Sequence, residues 1–176
     1  MSEPAHQFIR SDIQQTTVEG ADGQNRPGRR VTVQSLFTYP AELIWSELQR
    51  TESLRFVCRP LLFFTPRDTY GLPEYWREGE TARLYLWGLG FLPFGKHDIH
   101  LEWIDASNYI IQSRERGSLM RTWDHFIHLE PEDDHLTRYT DQIILEAGIM
   151  TPALAWWTRL FYRHRQRRWQ ELLGKM

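Results

Sequence analysis

From Val31 onward the chain alternates apolar and polar positions, and VTVQSLFTY predicts a strand over about 31–39 that Pro40 closes. The period then changes. In AELIWSEL, Leu43, Ile44 and Leu48 fall at helical spacing, and a second short helical stretch follows at Ser53 to Val57 before Pro60. Beyond it period two returns, predicting strands at Leu61–Thr65, Ala82–Gly88, Lys96–Ile104, Tyr109–Glu115, Arg121–Leu129 and Leu136–Glu146, joined by turn-rich segments such as DASN, ERGS and EPEDD. Strands so closely spaced pair sequentially, so the expectation is an antiparallel meander. A twisted sheet of six or seven strands curls upon itself.

The last element differs in kind. Thr151 and Pro152 make a helix start, and no breaker follows until Gly174, which predicts one helix about 33 Å long at 1.5 Å per residue. Leu154, Trp157, Phe161, Trp169, Leu172 and Leu173 recur at one-turn or two-turn spacings, so one side packs on a sheet, while Arg159, Arg163 and Arg167 mark the other. Residues 1–30 carry few large apolar side chains and the loop-like GADGQNRPGRR. They read as a flexible arm ahead of a single domain over 31–176.

Composition narrows the function classes. The 176 residues suffice for a sizeable core without disulfides or structural metal, and a lone Cys58 can form neither an internal bridge nor a Cys-rich zinc site. A net charge of −2 argues against a nucleic-acid partner. No apolar run spans a membrane and the N-terminus lacks a signal-peptide core, so the expected location is the cytoplasm. The aromatic share, 14% with eight Trp, suits a ligand cavity or a densely filled core.

The segments WGLGFLPFGKHDI, SRERG, TWDHFI, TRYTDQIILEAG and RLFYRHRQRRWQELL resemble the SRPBCC superfamily, the START-like group that includes the birch pollen allergen and polyketide cyclases, and within it an uncharacterised bacterial subgroup. The resemblance covers Val31 to Leu173. It implies the α+β helix-grip fold, in which a curved antiparallel sheet wraps around the long C-terminal helix and two short helices follow the first strand. It also implies an apolar cavity for a lipid-like or aromatic ligand. No catalytic motif is shared across the superfamily, so function rests on the site itself.

Strand parity predicts what faces that cavity. Trp123, His125, Ile127 and Leu129 form the more apolar face of their strand, and Tyr139, Asp141, Ile143 and Leu145 that of the next. A turn centred near Asp133 sets His125 opposite Asp141. Across ERGS, Ser113 pairs with Trp123, Ile111 pairs with His125, and Glu115 reaches the inner rim. His97 and Trp103 share a face that joins the same region, and Tyr85, Trp87 and Phe161 complete the walls.

A His beside a carboxylate in an apolar cavity serves either as an acid–base pair or as a satisfied, ligand-orienting polar pair. His97 and His100 point to opposite sides of a strand, so a metal site is not expected, nor is a cofactor. In WGLGFLPFG, Phe91, Leu92 and Phe94 either close one cavity mouth or pack as a hydrophobic turn. Cys58, despite Arg59 beside it, reads as an inert thiol. Three functions follow: a binder of a small hydrophobic or amphipathic ligand; a cyclase or dehydratase using His125 and Asp141; or an interaction module meeting a protein or membrane surface through the tract of Arg163, Arg167 and Arg168. The sequence is compatible with a monomer or a dimer.

Overall fold

The computed structural model describes residues 9–20 and 22–176. Eight strands form one antiparallel sheet: β1 (Arg10–Glu19), β2 (Asn25–Phe37), β3 (Leu62–Pro66), β4 (Thr81–Gly88), β5 (Leu92–Asp105), β6 (Ile110–Gly117), β7 (Thr122–Asp133) and β8 (Leu136–Glu146). The sheet order is β1-β2-β8-β7-β6-β5-β4-β3. Two short helices, α1 (Ala41–Leu48) and α2 (Thr51–Cys58), follow β2, and α3 (Thr151–Leu173) ends the fold. This is the helix-grip architecture, with more strands than the six or seven expected.

The extra strand overturns the flexible arm. Residues 25–30 extend β2, and Arg10–Glu19 pair with it from Arg10↔Gln34 to Glu19↔Asn25. Val18 is buried, and Arg163 on α3 donates from Nη1 to the Ile9 carbonyl at 3.0 Å, tying the strand's start to the helix. Residues 1–8 of the expected arm lie outside the described residues. An edge strand with one fully buried side chain carries almost no hydrophobic pattern, which is why it reads as a loop.

Two irregularities set which residues face inward. In β5, Leu101 pairs with Ser113 but Trp103 pairs with Gln112, so Glu102 is an extra residue. His97, Ile99 and Leu101 point into the sheet's concave side, and after the bulge the facing reverses. In the β4–β5 pair, Leu86 faces Gly95 and Trp87 faces Pro93, leaving Phe94 as the extra residue. Gly95 adopts φ +89 there, a left-handed conformation that favours glycine.

The core lies between the concave face and α3. Tyr139 stacks on Phe37 at 5.0 Å, and Trp169 and Phe161 on α3 are almost wholly buried. Among the described residues no helix is long and apolar enough to cross a membrane.

Candidate functional site

The concave face and α3 do not meet everywhere. Between them is a cavity of about 230 Å³ whose walls are mainly apolar: Leu62, Phe64 and Leu86 from β3 and β4, Ile99 and Leu101 from β5, Ile111 and Ile127 from β6 and β7, and Leu154, Trp157 and Phe161 from α3. Leu54 and Cys58 of α2 close one side, and Trp76 reaches in from the β3–β4 connection.

One wall is polar. His97, Ser113, Glu115 and His125 project from β5, β6 and β7 into this cavity. His97 Nε2 lies 2.8 Å from Glu115 Oε2, and Ser113 Oγ donates to Glu115 Oε1 at 2.7 Å. His125 Nδ1 faces Glu115 Oε1 at 4.0 Å, while its Nε2 lies 2.7 Å from Asp141 Oδ1. Asp141 does not line the cavity. It stands behind His125, and Gln166 on α3 donates to its Oδ2 at 3.0 Å and to the Val33 carbonyl at 2.9 Å. Ser35 Oγ in turn donates to Gln166 Oε1 at 2.7 Å. The chain of bonds therefore runs from β2 through α3 to the cavity wall.

Burial alone would raise the Glu115 carboxyl, but His97, the neighbouring His125 and the Ser113 hydroxyl hold it below its ordinary value, so it is ionised at neutral pH. Burial pushes the Cys58 thiol up to about 12, which makes it a neutral wall residue. Burial likewise raises the Tyr139 and Tyr162 phenols well above their ordinary value.

The sequence-predicted site residues separate into three groups. His97, Ser113, Glu115, Trp123, His125 and Phe161 line the cavity. Tyr139 and Asp141 face inward, but both are packed beneath the wall, Tyr139 between Phe37 and Trp169. Tyr85, Trp87 and Trp103 are corrected: they stand on the outer face. Tyr85 and Trp103 are 40% and 46% exposed, and Trp87 donates from Nε1 to the outward Thr65 hydroxyl at 3.1 Å. In β4 both faces are apolar, Leu84 and Leu86 against Tyr85 and Trp87, so parity alone does not choose, and the smaller pair is inside. Trp103 is turned out by the bulge at Glu102. In the β4–β5 turn Phe94 lines the cavity, whereas Phe91 and Leu92 are exposed.

The ladders also shift the expected pairing by two residues: His125 opposes Ile143, Asp141 opposes Ile127, and Ser113 opposes His125. An even shift keeps every facing assignment. On α3 the basic side chains have separate surroundings. Arg163 holds the start of β1, Arg168 pairs with Glu171 and lies over Phe56, and Arg167 is exposed. Arg165 is on the inner side, 4% exposed and lining the cavity. It was missed because the run of arginines masks it. The signal was positional, since it fills the gap at one turn from both Phe161 and Trp169 in the apolar stripe.

The curved antiparallel sheet and the long helix it grips are the helix-grip fold of START-like structures. The chain belongs to the family described as a domain of unknown function (DUF8410), which matches residues 35–173. No curated protein sequence matches the chain. Solved structures share the fold at low identity. A START superfamily protein from Mycobacterium smegmatis is 13% identical with a TM-score of 0.60, over 83% of this chain and 97% of that one. The ZhuI aromatase/cyclase from Streptomyces sp. R1128 is 16% identical with a TM-score of 0.58, over 84% and 93%. Ara h 8.0201 is 7% identical with a TM-score of 0.60, over 96% and 100%.

Proposed function

We propose that the protein binds a small hydrophobic or amphipathic molecule in the cavity between the sheet and α3. The observation that carries this reading is the cavity itself: a largely apolar chamber of about 230 Å³ with a polar wall of His97, Ser113, Glu115 and His125 on the sheet and Arg165 on α3. Such a combination fixes the orientation of a ligand whose bulk is held by apolar contact. The volume lies below the roughly 300–1,000 Å³ of sites for drug-sized ligands, which suits a medium alkyl chain or a small aromatic compound better than a sterol. Trp123 and Phe161 supply wall area, and Asp141 acts through His125 by orienting its ring.

A cyclase or dehydratase reading draws on the same His125–Asp141 contact and on the fold shared with an aromatase/cyclase. The geometry favours binding. His125 Nε2 is taken by Asp141 at 2.7 Å, and Asp141 stands behind His125 rather than in the cavity, so the two cannot serve together as acid and base on a bound substrate.

Native mass spectrometry of the purified protein, followed by denaturing extraction, tests the binding reading. A stoichiometric apolar or amphipathic compound is the expected result. A mass equal to the bare chain that stays unchanged after incubation with fatty acids, sterols and flavonoids would overturn it.

A further inference from the structure

Resting on the cavity-binding reading, we propose that the ligand is a small monoanionic acid, with an alkyl or aryl tail in the apolar chamber and its carboxylate on the guanidinium of Arg165. Arg165 lines the cavity at 4% exposure, yet its Nε has no hydrogen-bond partner and, among the described residues, no carboxylate oxygen lies within 4 Å of its guanidinium. Its close company is aromatic: the guanidinium carbon is 4.7 Å from the Tyr162 ring centroid and 6.0 Å from that of Phe161. A guanidinium does not shed its proton, so this is a permanent charge held away from water. A buried charge without a counter-ion is costly, and ring faces offset only part of that cost.

The two carboxylates nearby are already engaged. Glu115 takes His97 and Ser113, one on each oxygen, and Asp141 takes His125 and Gln166 in the same way. Neither reaches Arg165. The guanidinium is therefore the charged group that a ligand entering the cavity would complete, and its planar fork matches a carboxylate's two oxygens. The outer surface agrees in sign. A shallow depression sharing His97 and Met120 with the cavity is lined by Arg67, Lys96, Arg116 and Arg121 around Asp98. Arg67 pairs with Asp98 and Arg121 with Glu146, while Lys96 and Arg116 have no acidic partner among the described residues. The approach to this side of the molecule is thus cationic, which raises the local concentration of anions.

The test compares acids with their neutral analogues, octanoate with 1-octanol and 2-naphthoate with 2-naphthalenemethanol. Calorimetric titration at pH 7 is run on the whole protein and on Arg165→Met, whose apolar side chain of similar length keeps the wall filled. Wild-type protein is expected to prefer at least one acid over its alcohol. In Arg165→Met that acid weakens by about tenfold or more, as loss of a charge partner requires, while its alcohol changes by less than about twofold. The naphthyl and octyl arms show which tail the chamber takes. Arg165→Lys, which keeps the charge but loses the fork, is expected to be intermediate. If Arg165→Met does not fold, the acid-to-alcohol ratio in the wild type still decides. Alcohols that bind as tightly as the acids, or acids unaffected by Arg165→Met, would overturn the Arg165 anchor and leave the cavity reading standing. Failure of all four probes to bind would overturn both.

Discussion

His125 and Asp141 are diagonal neighbours across the β7–β8 ladder: His125 opposes Ile143 and Asp141 opposes Ile127, yet Nε2 and Oδ1 are 2.7 Å apart. Diagonal side chains on one sheet face come within reach when one is long, and here the imidazole leans along the strand toward the shorter carboxylate. Asp141 is wholly buried and its second oxygen is taken by Gln166. Its removal leaves two stranded polar groups. Asp141→Ala is expected to cost about 3–5 kcal/mol, as for a broken buried pair. Urea unfolding midpoints check this, and a loss below about 1 kcal/mol would show that water replaces the carboxylate.

Glu115 predicts a pH effect. Its folded carboxyl titrates below the unfolded value, near 4.3 for a free glutamate, so its contribution is complete above that value. The contribution is lost as pH falls through the lower folded value, because the unfolded chain takes up the proton first. Glu115→Gln removes this proton linkage. Its unfolding free energy should therefore vary less steeply than wild type between about pH 5 and pH 3. Parallel curves for the two proteins across that range would contradict the assignment.

Much of this site is legible in strand parity because period two tolerates error in even steps. The expected hairpin register was off by two residues at both β6–β7 and β7–β8, and Ser113, Glu115, Trp123, His125 and Asp141 still face inward. Odd steps are not tolerated, and they enter through features with no compositional mark. The extra Glu102 turns Trp103 outward, and in β4 two apolar faces compete. The β1 strand was invisible because RSDIQQTTVE has an edge's polarity and buries Val18 alone among its residues. Arg165 was hidden for the opposite reason. Charge marks the solvent side of most helices, yet the spacing of four from Phe161 and Trp169 places Arg165 on the inner stripe.

The separation of inner from outer aromatics is measurable. Tyr85→Ala and Trp103→Ala trim half-exposed side chains outside the cavity, so stability should change by about 1 kcal/mol or less and affinity for a cavity probe such as octanoate should hold. Phe161→Ala cuts into the cavity wall. Such a truncation costs about 3–5 kcal/mol, with the low end expected because one face already borders empty space, and octanoate affinity should fall with it. Equal effects from the inner and outer substitutions would mean that the probe sits elsewhere.

Cys58 reports on the same chamber without any substitution. Its thiol lines the cavity, is 2% exposed, and is pushed up to about 12 by burial. Alkylation proceeds through the thiolate, and an unfolded cysteine has a pKa of about 8.5. At pH 8 the folded thiol is ionised in about one molecule in ten thousand, against roughly a quarter in the unfolded chain. Iodoacetamide should therefore label native protein about a thousandfold more slowly than protein in urea, followed by intact mass. A ligand in the chamber should slow it further, since it removes both the space and the water that a thiolate needs. Native labelling within tenfold of the unfolded rate would mean that water reaches Cys58 freely, and that the chamber is open to solvent at the α2 side.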